Sequence, residues 1–234
     1  NAILSFGQEA DDGWQFVDVV PLGQPAEIYV PSENEFTDDL SWTTVAFDVS
    51  DPQNPWGANG GTVGPTGIGF DTGNGRYDDL LATDVRQVVT EKSSTSVLLR
   101  QSFSVDPRVE GLSLDVQYYD GFVAFINGSE VARNNAGDIS IPYMARATAS
   151  RESIEIESFA IDITEVDLRA DGDNVLAIQL LNQSAFSNDL LILPRLRGAV
   201  KAEATLLDDL YFTLDGTDPR GVGGEIIGTK FRQP

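Results

Sequence analysis

A sugar is held by two kinds of group: a flat apolar ring against the C–H side of a pyranose, and planar polar side chains against its hydroxyls. Both kinds fall together in a Gly/Pro-rich stretch, where Trp56 stands near Asn54 and Asn59. A second set joins Tyr143 with Arg146, and a third follows an Asn-Gly turn as Arg133, Asn134 and Asn135. For Trp56, ligand contact and loop anchoring are equally good readings. Arg133 is better read as pairing with a carboxylate across a sheet, and Trp14 and Trp42 as core residues. A second chemistry is calcium binding, which needs about six to eight oxygens gathered from irregular loops. Asp71 with Asn74 and Asp78, and Asp171 with Asp173, could supply them as a structural Ca2+ site. Asp79 belongs with Asp78 in the first of these sets, Asp11-Asp12 and the pair Asp215 and Asp218 are further acidic clusters, and none has the EF-hand spacing.

Other chemistries are closed by residue type. The 234 residues include no Cys and no His, which removes disulfides, thiolate sites, Ser-His-Asp triads and ordinary zinc or copper centres. Paired carboxylates can hydrolyse glycosides, but no motif frames one pair among 37 acidic residues. No Ser-x-x-Lys or Gly-x-Ser-x-Gly occurs. The expectation is a protein that is not an enzyme. Against 15 basic residues the acids leave a net charge of −22, which repels nucleic acid and anionic membranes. Screening cations outside the cell suit such a surface. No apolar run approaches the roughly 20 residues that cross a bilayer, and the N-terminus does not read as a signal peptide.

The elements that must carry these side chains read as strands. Residues 14–20, 27–30, 42–49, 96–105, 111–119, 122–126, 154–163, 174–181 and 189–196 are rich in Val, Ile, Phe and Tyr and are separated by turn residues. Leu112, Leu114, Val116 and Tyr118 alternate with Ser113, Asp115, Gln117 and Tyr119, as in a strand with one buried face. Residues 122–126 are apolar throughout, which predicts a strand covered on both faces. Asp120-Gly121 and Asn127-Gly128 are two-residue hairpin signals, and together they predict a three-strand meander. Residues 77–91 have near-helical apolar spacing, and a weaker helical turn is expected at 165–169. Residues 50–76 read as a long loop and 201–205 as a linker.

Several blocks taken in order resemble one family. They are Val97 to Phe103, the block Tyr118-Tyr119-Asp120-Gly121 through Asn127-Gly128-Ser129-Glu130-Val131-Ala132-Arg133, then Asn174 to Gln179, and Ser187 to Leu190. This order is similar to the galactose-binding-like jelly-roll modules of large secreted bacterial proteins. The resemblance implies an all-β jelly-roll β-sandwich over residues 1–200 with one short connecting helix. It also implies a secreted or cell-surface location and a carbohydrate-binding or spacer role. Further on, Leu210-Tyr211-Phe212-Thr213-Leu214-Asp215-Gly216-Thr217-Asp218-Pro219-Arg220 resembles the opening hairpin of a chitobiase C-terminal-like domain. Residues 201–234 are too few for that family's sandwich, so an incomplete copy is expected.

The functional expectation is a non-catalytic, extracellular carbohydrate-binding accessory module with a polysaccharide or glycan as partner. The alternative is a structural, adhesive or self-assembling module that contacts copies of itself or neighbouring domains of a larger chain. A glycan-active enzyme on a jelly-roll scaffold ranks third. Asn127-Gly128-Ser129 and Asn182-Gln183-Ser184 also match the glycosylation acceptor pattern, the first being better explained by its turn.

Overall fold

The computed structural model describes residues 14–73, 75–170, 172–201, 211–213 and 229–230. Its strands are β1 (Trp14–Val20), β2 (Pro25–Tyr29), β3 (Thr62–Pro65), β4 (Ile68–Asp71), β5 (Thr83–Asp84), β6 (Ser96–Phe103) and β7 (Val109–Tyr119). They continue as β8 (Gly121–Ile126), β9 (Ser129–Asn134), β10 (Glu157–Ile161), β11 (Asn174–Leu181), β12 (Asp189–Lys201), β13 (Tyr211–Phe212) and β14 (Thr229–Lys230). Two short helices, α1 (Pro55–Asn59) and α2 (Arg86–Lys92), join them. The first sheet has the order β10-β7-β12-β4-β5, with β1 also paired to β12, and the second has the order β3-β2-β6-β11-β8-β9. The fold is an all-β jelly-roll sandwich. No helix among the described residues is long and apolar enough to cross a membrane.

The chain divides into two compact units. Residues 16–200 form the sandwich. Residues 1–15 with 201–234 form the other unit, in which Tyr211 and Phe212 of β13 pair antiparallel with Lys230 and Thr229 of β14. The Asp215-Gly216 turn and residues 202–205 of the expected linker lie outside the described residues.

Alternation along the strands builds the core. Leu112, Leu114, Val116 and Tyr118 of β7 face Leu176, Ile178 and Leu180 of β11 and Phe122, Ala124 and Ile126 of β8 in one buried cluster between the sheets. Val123 and Phe125 of β8 point the other way. They join Leu98, Val175, Ala177, Tyr29, Phe36, Trp42 and Trp56 in a second cluster on the far side of the second sheet. That sheet is therefore buried on both faces, as the unbroken apolar run of β8 requires. Its roof is made of chain from residues 36–56 and 136–147.

The meander is half present. Asn127 and Gly128, with φ of 51° and 93°, form the two-residue turn between β8 and β9. Asp120-Gly121 is not a hairpin. β7 ends in the first sheet, pairing Tyr119 with Leu191, and β8 begins in the second, pairing Gly121 with Leu181. Asp120, at φ 67°, is the single residue by which the chain changes sheets. A Cβ at Gly121 would lie 2.5 Å from the carbonyl oxygen of Asn135, so this corner needs the glycine as well.

Three other expectations are corrected. Residues 42–49 do not pair as a strand: a 3-10 turn at Ser41–Thr43 leads into irregular chain. Their carbonyls are claimed by a side chain instead. The guanidinium of Arg100 donates to the carbonyl oxygens of Trp42, of Thr44 at 3.0 Å and of Phe47 at 3.3 Å, and lies 3.6 Å from Glu27. Residues 77–91 are helical only in α2 and in a 3-10 turn at Asp78–Leu80. Between them Ala82 and Thr83 donate to Gly67 and Val85 donates to Gly69, which draws the segment alongside β4. Residues 50–76 are not a structureless loop, because they hold α1, β3 and β4. The weaker helical turn falls at Ile163–Glu165, where Asp162 caps it by accepting from the Thr164 amide.

Candidate functional site

The first loop set has become structure. Trp56 is 2 % exposed; its ring stacks on Tyr29 at 5.3 Å and meets Phe47 edge-on at 6.1 Å. No face of the indole is open to a sugar, so loop anchoring is its role. Asn54 caps α1 through the Gly57 amide and donates to the Asp48 carbonyl. Asn59 donates to Glu35 at 2.8 Å, and Glu35 in turn accepts from Tyr29 and from the Ser32 amide. The three residues are brought together, but as a clasp for the roof.

The other two sets are separated by function in the same way. Arg133 forms a forked pair with Glu130 at 2.6 and 2.8 Å. The partner is on the same strand, not across the sheet. A register shift opposite Ala124 and Phe125 adds one residue to β9, and this turns positions three apart to the same side. Asn135 donates to the carbonyls of Asp120 and Ala149 and accepts from Thr148, so it holds the loop after β9. Tyr143 is half-buried in the roof, and its carbonyl accepts from both the amide and the hydroxyl of Thr95. Arg146 is exposed, with its carbonyl bonded to the Gly137 amide.

Among the expected calcium ligands, Asn74 and Asp171 lie outside the described residues. Asp71 uses its carboxylate locally, accepting from the amides of Gly73 and Arg76 at 2.8 Å each. Asp78 lies in the 3-10 turn and Asp173 is exposed just before β11. No group of three or more acidic residues with metal-binding geometry occurs among the described residues. Trp42 is fully buried as expected, but Trp14 is 54 % exposed near the start of β1, where five residues in succession are open.

The outer face of the first sheet carries partly exposed polar side chains among the described residues. On β7, Ser113, Asp115 and Gln117 point away from the core residues Leu114 and Val116. On β12, Arg195 and Arg197 flank the buried Leu196 and lie opposite Asp115 and Ser113. Arg197 grips Asp115 with two contacts, 2.6 Å through Nε and 3.0 Å through Nη2. Asp115 also accepts from Ser158 of β10 at 2.7 Å. The Arg197 guanidinium lies 4.6 Å from the ring centre of Phe16, which is 53 % exposed. Beside it, Arg195 donates to Asp18 at 2.6 Å, a bond that holds the guanidinium pKa above its usual value. The result is a partly exposed row of planar polar groups, fixed in orientation by one another, with the half-exposed Phe16 ring at its border. In the sequence the polar half of β7 stands out by its alternation, and the Arg-x-Arg alternation of β12 is the signal of its match.

Two other features lie outside this row. A solvent-open groove of about 600 Å³ beside α2 is lined by Asp84, Arg86, Gln87, Thr90 and Glu91. Its two carboxylates are engaged locally, Asp84 by the Arg86 amide and Glu91 by the Gln87 side chain. Where β9 and β10 meet, Glu157 accepts from Tyr118 at 3.0 Å, Asn134 at 2.7 Å and Arg151 at 2.6 Å. Burial pushes the Glu157 pKa up, but these three hydrogen bonds outweigh it and hold the group below the ordinary range.

No family model matches the chain, and no curated protein matches it. Among solved structures it is similar to a Bacteroides uniformis β-glucuronidase, with 14 % identity and a TM-score of 0.45 over 80 % of this chain and 18 % of that one. An uncultured Clostridium β-glucuronidase aligns at 11 % identity and a TM-score of 0.42, over 86 % of this chain and 31 % of that one. A Bifidobacterium dentium β-glucuronidase complexed with coumarin-3-O-glucuronide aligns at 12 % and 0.39, over 77 % and 22 %. The chain thus spans less than a third of the length of these enzymes. Likeness at this level carries no argument about activity.

Proposed function

We propose that this chain is a non-catalytic carbohydrate-binding module of galactose-binding-like type, working outside the cell as an accessory to a larger protein. The outer face of the first sheet is its binding surface. The observation that carries the reading is the half-exposed ring of Phe16 beside an ordered row of partly exposed planar polar side chains, Arg197, Gln117 and Arg195, braced by the buried Asp115. A polysaccharide chain lies along such a row without entering a pocket. Calcium keeps at most a structural part in this reading.

The test is a glycan-array screen of the purified chain in calcium and in chelator, repeated with Phe16→Ala. Selective binding that is lost in the variant supports the assignment. Binding that survives the variant moves the site elsewhere, and silence on the whole array removes the reading. Persistence of the signal in chelator excludes a calcium requirement.

A second reading, an adhesive or self-assembling module, is favoured by Phe186. This ring is 94 % exposed at the tip of a loop whose ends are tied, Asn182 to the Thr95 carbonyl and Asn188 to the Thr72 amide. Concentration-dependent mass in light scattering, abolished by Phe186→Ser, would establish it.

A further inference from the structure

We infer that the ligand of the open face is an acidic sugar, one bearing a carboxylate or a sulfate; this rests on the binding-module reading above. The donors that the arginines of this face leave unfilled point to it. Asp115 is engaged through both oxygens: Oδ1 accepts from Arg197 Nη2, Ser158 and Ser113, and Oδ2 lies in ion-pair contact with Arg197 Nε. Gln117 turns its amide donor to the Ile154 carbonyl. The guanidiniums keep capacity: Nη1 of Arg197 and both terminal nitrogens of Arg195 have no hydrogen-bond partner among the described residues. Among the described residues these unfilled donors stand beside unfilled acceptors at Gln117 Oε1 and Asp18 Oδ2, and the donors are the fixed forks that match planar oxyanions.

The placement of the two arginines favours the same ligand. Arg195 and Arg197 are two residues apart on one strand, so their stems emerge roughly 7 Å apart on the same side. Asp18 and Asp115 offset their charges, which makes this patch locally neutral in a chain of net charge −22. An anion approaching here meets no local excess of carboxylates. Repulsion from the rest of the surface is screened beyond about 8 Å at physiological salt. A ligand oxyanion can then share Arg195 with Asp18, both of which are partly exposed.

The experiment compares matched polymers at about 150 mM salt by calorimetry on the whole chain. Polygalacturonate is set against its carboxyl-reduced form, and dextran sulfate against dextran. The expected result is that at least one acidic polymer binds about tenfold or more tighter than its neutral twin, and that the preferred pair separates the carboxylate from the sulfate. Arg195→Gln should weaken the acidic polymer by about ten- to a hundredfold, the loss expected for one charged hydrogen bond. It should leave any neutral binding unchanged. Arg195 is the test position because removing Arg197 strands the buried Asp115. Equal binding of neutral and acidic twins, or no effect of Arg195→Gln on a folded protein, overturns the acidic preference while the module reading stands. Failure of all four polymers together with a blank glycan array overturns both.

Discussion

The two sheets of the sandwich treat their outer faces in opposite ways. The second sheet hides its outer face beneath aromatic side chains, with Trp42 and Trp56 buried over Phe125, Ala177 and Leu98. The first sheet, among the described residues, keeps its outer face partly exposed and lines it with paired arginines and aspartates. The bulky rings that looked most suited to a ligand are thus consumed by the roof. A recognition surface is left to smaller signals on the other side. Burial of an aromatic ring is worth several kcal/mol, so a loop tryptophan near an uncovered apolar sheet face goes to that face before it goes to a sugar.

If this contrast is right, substitutions in the roof cost stability and those on the open face cost binding. The largest effect is expected for Trp42→Ala, which leaves a cavity over Phe125 and should lower unfolding free energy by about 3–5 kcal/mol in urea titration. Arg100→Met comes next. It strips donors from the carbonyls of Trp42, Thr44 and Phe47, and about 2–3 kcal/mol should be lost. A loss below 1 kcal/mol would mean that the roof is held by its aromatic rings alone.

The edge between the faces gives a smaller, pH-dependent effect. Because the Glu157 pKa is lowered in the folded state, its stabilising contribution is complete above the ordinary Glu range. That contribution fades as the pH falls through the folded-state value. Glu157→Gln should cost roughly 1–2 kcal/mol at neutral pH and flatten the acid side of a stability–pH curve. Equal slopes for the two proteins would remove Glu157 from the acid response. Arg195→Gln should be the mildest for stability, within about 1 kcal/mol as for other exposed pairs, while it weakens acidic-polymer binding by about ten- to a hundredfold. Loss of stability in place of binding would erase the distinction between the faces.

Much of the sandwich was legible because its strands carry strong local patterns. The alternation of β7, the apolar run of β8 and the length of β11 follow from which faces are buried. What misled was chemistry decided at a distance. Residues 42–49 have strand composition, but a buried arginine on β6 takes their carbonyls. The glycines of residues 57–75 suggested a loop, yet Gly69 sits where a Cβ would meet the Leu190 carbonyl oxygen at 1.9 Å, so it marks close strand packing. Asp-Gly serves a corner at Asp120 as readily as a hairpin, because both need a positive φ at the first residue. The candidate site was half visible in Ser113, Asp115 and Gln117. Its other half, on β12, became apparent only when pairing set Arg195 opposite Asp115.

The one-residue crossing at Asp120 has a consequence for how the molecule opens. Its carboxylate accepts from the amides of Arg151 and Gln183, its carbonyl from Asn135, and its own amide donates to Arg151. One residue thus ties the last pair of the first sheet, the first pair of the second and three loop positions. Neither sheet can fray at this end without loosening the other. The amides of Tyr119, Gly121, Gln183 and Arg151 should therefore exchange with solvent as one group, with a common opening free energy.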